Sequence, residues 1–569
     1  MSTDDRTSIQ EFREEIDPPV FWAGAIVSVL FIVAYVIAPQ KAGAEKNLVA
    51  WAMTATNNWL WSNLAWYYLL AMLIFVGFAA FLMFGPWGKI KIGGEEAEPT
   101  HSFFTYFAMF FSAGIAAGID FWGPAESIYH LGYGTPLSAG ASNPSTQALM
   151  VDALVYSFFH WGISAWCAYL VVAVPVGYYA YNKGAPFRFS TLLAPFIGID
   201  NIKTSNWAKL VDAIAVFATL GGVATSLGLV GQELVKGVEY VGDVSISPLW
   251  TFVIIAGVTI LFTISVVSGI DKGIKRISQV NVGLFLVLGV ATFLLGFPFF
   301  VLNIGTQALG TYLNQFLHLS LLTGTGSEAT LSGIAGKGFT VGGFVGGWTV
   351  FYWAWWFSWA PFSGLFLARI SKGRTIREMT FVGVVATTLS TIPWFMVLGA
   401  TSMKLQVLGR VDILGAISQY GVAVSGYPLF GALPLGALWM SLFFILVVTF
   451  FVTSADSSTL SVAMLTTGGK QDPSGSNRLF WGVIQGIIAG LLVYIGGTNA
   501  LQQAAIITGG PVAIVGLIGC WGLYRTLARE HGSIITQEGA DIRGEEDSLL
   551  SAIGEAETGS VDTDASTDD

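Results

Sequence analysis

Charge is scarce in this chain, and so are cysteine and histidine. Charged residues make up 11% of the 569 positions, against about 25% in ordinary soluble domains. With 54% hydrophobic residues and a mean hydropathy of +0.66, a soluble globular protein is excluded. The two cysteines, Cys167 and Cys520, both sit in apolar segments. That placement excludes a disulfide framework and a thiolate metal site. The five histidines show no HExxH or other metal-ligand spacing. No GxxxxGK[ST] motif is present, which argues against ATP-driven pumping by this chain. Neither a nucleophile–base pair nor a set of metal ligands is gathered as an enzyme would need. No cofactor is expected, and no nucleic-acid partner.

What the chain has is long apolar runs of the roughly 20 residues that cross a hydrocarbon core. Coarse spans read as 20–38, 62–84, 102–131, 147–181, 205–235, 249–268, 279–301, 345–371, 379–401, 436–467, 479–496 and 499–527. The expectation is therefore an all-α membrane protein with twelve transmembrane helices, its transporter domain occupying 20–529. The first run follows an acidic 1–19 segment without a basic n-region, so it reads as a retained helix. Segment 303–344 is too polar and glycine-rich to span, and predicts a short amphipathic helix, Gln307–Leu322, lying along the membrane surface.

Basic residues set the orientation. Lys89/Lys91, Lys183/Arg188, Lys272/Lys275/Arg276, Arg369/Lys372/Arg374/Arg377, Lys470/Arg478 and Arg525/Arg529 fall in alternate loops, and the loops between them are nearly free of positive charge. Both termini are thus expected in the cytoplasm of a multi-pass plasma-membrane protein. The net charge of −10 concentrates at the ends, and 530–569 reads as an acidic disordered tail in which Arg543 is the one basic residue after position 537. An acidic surface suits either a high-salt cytoplasm or an ordinary solvated tail.

Two runs are expected to be broken helices. The third contains SAGIAAGIDFWGP, with Gly114, Gly118, Gly123 and Pro124; the eighth contains the aromatic run followed by Pro361 and Gly364. They lie five helices apart, so helices three to seven and eight to twelve read as two five-helix repeats preceded by two extra helices. Paired interruptions of this kind point to a transporter binding site.

The eighth run carries WTVFYWAWWFSWAPF, Trp348–Phe362. Trp348, Tyr352, Trp355, Trp356, Trp359 and Phe362 fall at helical spacing on one face. Interfacial tryptophans do not normally recur at successive turns through a membrane core. An inward stripe of π faces suits a cation without hydrogen-bond donors, a quaternary ammonium, at about 2 kcal/mol per desolvated contact. The fourth run adds Trp161, Trp166 and Tyr169. Packing alone is the competing reading of both groups.

These stretches resemble the betaine/choline/carnitine transporter family. WTVFYWAWWFSWAPFSGLFLARISKGRTIRE is similar to its signature, SAGIAAGIDFWGPAE to its glycine-rich third helix and FVTSADSST to its tenth, in order, within a similarity over about 15–530. The resemblance implies a LeuT-like inverted repeat of helices 3–7 and 8–12, a homotrimer, contact with membrane lipid, and import of betaine-like solutes by secondary transport. It implies an aromatic box of Trp161, Trp166, Tyr169 and Trp356, with Trp359 on the substrate's way to the cytoplasm and Gly118 in the substrate region. It also implies a sodium site of Thr453 and Ser454 with backbone groups of Ser112, Ile115 and Phe450. A second cation site would use Thr219 and Phe362, but Val223 stands where its other hydroxyl belongs.

Asp120 replaces a usually apolar residue of that pattern. An acid at membrane depth is costly and functional by default. It could complete a cation site, pair with the substrate's ammonium, carry a coupling proton, or face a water-filled vestibule. Glu126 is expected to hold reordered backbone after the helix break, and His160 to pack beside Trp161. Asp212 and Asp456 are expected to brace helix ends. Choline or carnitine transport and a betaine sensor without transport stay open beside betaine import. Some family members sense osmotic stress through a basic C-terminal helix; the acidic tail here predicts another element or none.

Overall fold

The computed structural model describes residues 8–39, 47–141, 143–267, 271–470 and 472–532, and within them not the side chains of 8–9, 112–117, 262, 265–267, 271–276, 278 and 457–458. The expected tail after 537 therefore lies outside the described residues. The chain runs α1 (Ser8–Glu15), α2 (Pro18–Ile37), α3 (Leu48–Phe84), α4 (Phe103–Tyr133), α5 (Thr146–Trp161), α6 (Ile163–Lys183) and the short α7 (Ala194–Ile197). Next come α8 (Asn206–Gly242), α9 (Pro248–Val267), α10 (Asp271–Leu295), α11 (Pro298–Leu321), β1 (Thr330–Gly333) and β2 (Gly336–Thr340). The second half comprises α12 (Val341–Phe344), α13 (Phe351–Ile370), α14 (Ile376–Phe381), α15 (Thr387–Val407), α16 (Ile413–Tyr420), α17 (Gly426–Gly431), α18 (Gly436–Thr466) and α19 (Gly475–His531).

Among the described residues, seven helices are long and apolar enough to cross a membrane, or eight if the pair Gln279–Leu295 and Pro298–Leu321 counts as one broken span. That pair is bent by 104°. The seventh expected run thus stops at Leu295, and the predicted amphipathic helix starts earlier, at Pro298, whose fixed φ and missing N–H suit a first helical turn. The chain is mostly helical as expected, with one short antiparallel hairpin, β1–β2, that the expectation lacked: Gly-rich segment 324–343 turns back on itself and packs under the end of α4, Ile334 and Ala335 donating to the carbonyls of Leu131 and Gly132.

The expected breaks are placed differently. α4 is helical throughout, Pro124 included, and Val341–Ile370 continues from α12 through a π-helical turn at Val345–Val350 into α13. Glycine permits unwinding without forcing it, and Pro124 removes one amide only. The interruption falls instead in the fourth run, at Gly162 (φ −91°, ψ −128°) between α5 and α6. In α19 the expected turn is present as a kink at Gly496 and Gly497.

The N-terminal segment is docked. Glu15 accepts from Lys470 Nζ (2.8 Å), Ser474 Oγ (2.6 Å), the Ser474 amide (3.0 Å) and Asn477 Nδ2 (3.2 Å). Arg188 donates to Asp17 (2.8 Å) and Asp212 (3.5 Å), and Arg478 pairs with Asp456. Asp212 and Asp456 brace neighbouring elements as expected. Burial alone would raise the Glu15 pKa, but the bonds from Lys470, Ser474 and Asn477 together hold it below the usual glutamate value.

A carboxyl with a depressed folded pKa stabilises above its unfolded value, and that contribution vanishes as pH falls through the folded value. Glu15→Gln should therefore cost about 1–3 kcal/mol of unfolding free energy near neutral pH. The difference from the parent should close in acid, as measured by denaturation in detergent at stepped pH.

Candidate functional site

The break at Gly162 organises the site. A Cβ there would come within 2.5 Å of the Phe158 carbonyl and 3.0 Å of the Tyr312 hydroxyl, so only glycine fits. Backbone groups released by the break find side-chain partners. Trp356 Nε1 donates to the His160 carbonyl (3.3 Å), Thr391 Oγ1 to the Trp161 carbonyl (2.9 Å), and the Ile163 amide to Tyr312 Oη (3.2 Å). In a water-free interior each such group must be satisfied within the protein.

Trp161 thus ends one helix and Trp166 and Tyr169 open the next; Trp161 and Tyr169 meet α13, and Trp166 meets Tyr169. Ring centroids of Trp161 and Trp356 lie 5.2 Å apart at 86°, Tyr169 and Trp356 5.8 Å at 70°, and Trp166 and Tyr169 5.8 Å at 86°. Phe395 stacks on Trp161 at 4.8 Å, and Phe110 and Phe111 approach Trp166 at 5.9 and 6.1 Å. The four expected box residues form one buried, mutually contacting chain of rings. Gly118 closes its side: a Cβ there would meet Trp355 Cη2 at 2.7 Å and Trp161 Cη2 at 2.8 Å.

The rings of α13 meet both α5 and α8. Tyr352, Trp355 and Trp356 all lie against Trp161, at 5.5, 6.2 and 5.2 Å, and Trp355 and Trp359 donate to the Gly222 carbonyl of α8, each at 3.2 Å. Trp348, in the π-helical turn Val345–Val350, stays in contact with Tyr352 at 6.3 Å.

Glu126 does not hold reordered backbone. Its Oε1 accepts from His160 Nδ1 (2.7 Å) and lies 3.3 Å from His130 Nε2; its Oε2 accepts from Trp161 Nε1 (2.8 Å) and Tyr352 Oη (2.6 Å). His160 Nε2 bonds Thr349 Oγ1 (3.0 Å), and its ring also stacks on Tyr352 at 4.5 Å. This hub joins α4, α5 and α13. Its carboxylate and two imidazoles lie within 4.8 Å of one another, an assembly that sequence spacing hides because His160 is 30 residues from His130. The one available signal was an acid inside an apolar run.

Asp120 stands elsewhere. Two positions beyond Gly118 on a regular helix, it turns about 200° away from the box and is fully buried with both carboxylate oxygens unpartnered. Of the residues expected to hold sodium, Ser112 and Ile115 lie outside the described side chains. Thr453 Oγ1 donates to the Thr449 and Phe450 carbonyls (3.2 and 3.1 Å) and accepts from Asn281 Nδ2 (3.2 Å), while Ser454 Oγ is buried without a partner. α18, which carries both, packs against α4. Thr219 Oγ1 is likewise buried and unpartnered, Phe362 is buried, and Val223 fills the missing hydroxyl position. Buried hydroxyl oxygens of this kind fit a hard monovalent cation.

Long apolar helices around a buried aromatic cluster are the form of a membrane transport protein. A family model for the betaine/carnitine/choline family transporters matches residues 19–532. Glycine betaine transporter OpuD of Bacillus subtilis is 36% identical over 526 residues, covering 92% of this chain and 96% of that protein. Glycine betaine transporter 1 of Vibrio parahaemolyticus is 35% identical, with 92% and 96% covered, and the ectoine/hydroxyectoine transporter of Virgibacillus pantothenticus 34% identical, with 91% and 98% covered. The chain belongs to the betaine/carnitine/choline family of transporters.

Glu126→Gln keeps one acceptor but presents an N–H₂ to donors. Losing a charge-assisted bond to Trp161 or Tyr352 costs about 1.5–3 kcal/mol, so substrate-induced tryptophan fluorescence changes should shift to roughly 10–100-fold higher concentration while the variant stays monodisperse.

Proposed function

We propose that the chain is a secondary active importer of quaternary-ammonium osmolytes, with glycine betaine as substrate and Na⁺ as coupling ion. The observation that carries the reading is the chain of ring contacts Trp161–Trp356–Tyr169–Trp166. A trimethylammonium group offers no N–H to donate, so it gains more from desolvated π faces than from carbonyl or hydroxyl groups. Glu126 places a carboxylate behind Trp161, adding negative potential on the far side of that wall. Trp166 Nε1 is buried without a partner and supplies a donor for the substrate's carboxylate.

In this reading Trp359 lines the way out to the cytoplasm, and Thr453 and Ser454 hold Na⁺ with backbone oxygens of Ser112, Ile115 and Phe450. Thr219 and Phe362 form at most a partial second site. The chain crosses the membrane twelve times with both termini cytoplasmic, in a LeuT-like inverted repeat, and assembles as a trimer. A broader substrate range is the second reading: a relative named glycine betaine/proline/choline/ectoine transporter, from Vibrio parahaemolyticus, is 34% identical. Coupling to protons through Asp120 belongs to the same alternative. A betaine sensor would bind without uptake.

Uptake of radiolabelled betaine, choline and carnitine into proteoliposomes, with and without an inward Na⁺ gradient, tests these readings together. Saturable betaine uptake that collapses without the gradient is expected; binding without uptake would leave the sensor. Trp356→Leu removes a contact of about 2 kcal/mol and should abolish saturable uptake with expression intact, and wild-type uptake from it would sink the box. Ser454→Ala should raise the Na⁺ concentration needed for half-maximal uptake; an unchanged Na⁺ dependence would remove Ser454 from the site.

A further inference from the structure

We propose that Asp120 and Glu233 together form a monovalent-cation site between α4 and α8, separate from the aromatic box and from Thr453 and Ser454. Both side chains are buried, Asp120 at 0% and Glu233 at 1% exposure. Asp120 Oδ1, Asp120 Oδ2 and Glu233 Oε2 have no hydrogen-bond partner. α4, which carries Asp120, packs against α8, which carries Glu233, and α17 packs against α4. A further oxygen is available, because Pro124 has no N–H to give the Asp120 carbonyl four residues back.

Among the described residues, no ion pair is made to either carboxylate. On α8, Lys236 is bound to Glu239 at 2.5 Å. On α4, Glu126 and His130 belong to the box hub. From α17, Tyr427 donates its hydroxyl to the Glu233 backbone carbonyl (3.1 Å), not to the carboxylate. An uncompensated buried carboxylate costs several kcal/mol, and a second beside it adds like-charge repulsion. Carboxylate and carbonyl oxygens around one such pair are the donor set of a hard cation. A proton or Na⁺ supplies the same single positive charge. The site leans on the transport reading only for its consequence, that its cation is a coupling ion.

The test measures binding without substrate. Full-length protein in detergent is melted in NaCl against N-methyl-D-glucamine chloride at equal ionic strength, and across a pH series. The wild type should be stabilised by Na⁺ if the ion is an alkali cation, or by acid if it is a proton. The comparison is made in the Ser454→Ala background, which removes the Na⁺ site of the function proposed above: Ser454→Ala alone should keep a shift, and adding Asp120→Asn/Glu233→Gln should abolish it. A wild type indifferent to both ions, or a combined variant that keeps the shift, would overturn the site. So would a double variant that fails to fold, since neutral isosteres remove repulsion and create none. Failure of betaine uptake would count against the function proposed above and leave this titration unaffected.

Discussion

Inside a membrane no water is available to satisfy a backbone amide or carbonyl, and this constraint shapes the site. A helix can be interrupted only where neighbouring side chains take up what the break releases. At Gly162 they do so with three partners from three other elements: Trp356 of α13, Thr391 of α15 and Tyr312 of α11. The same break lets Trp161 and Tyr169 approach the α13 rings from consecutive helices. Backbone accounting and cage construction are one event here. Trp356 takes part in both, as the donor to the His160 carbonyl and as the ring between Trp161 and Tyr169.

Composition and periodicity were enough for a helical membrane protein, because apolar length is a local property. The aromatic positions were legible for the same reason: tryptophan at helical spacing inside a span is conspicuous whatever surrounds it. The position of the break was not. Gly114, Gly118, Gly123 and Pro124 gather in one run and Gly162 stands alone, yet the lone glycine is where two helices part. Glycine count measures permission to unwind, and partners decide where it happens. Those partners are 150 to 229 residues away from Gly162 (Tyr312 and Thr391) and give no local signal.

The Glu126 hub shows the same limit. In the sequence Glu126 and His160 read as separate residues with separate small roles and His130 carries no signal, because only the packing of α4 against α5 brings His160 to the carboxylate. Glu233 was passed over for a related reason. It sits in a helix that ends in the polar stretch Gln232–Glu239, where an acid is unremarkable until its burial is known. The hairpin of 330–340 was missed since its strands are short and glycine-rich, without the alternation that marks a half-buried strand.

One contact has a mechanical consequence. Trp355 and Trp359 end on a single oxygen, the Gly222 carbonyl, which also accepts from Ser226 Oγ of its own helix. α13 and α8 are therefore pinned at a point and not along a line. Turning one helix about that oxygen keeps both bonds, while sliding it lengthwise breaks both together. The joint is stiff to translation and compliant to swivel, the behaviour of a ball and socket.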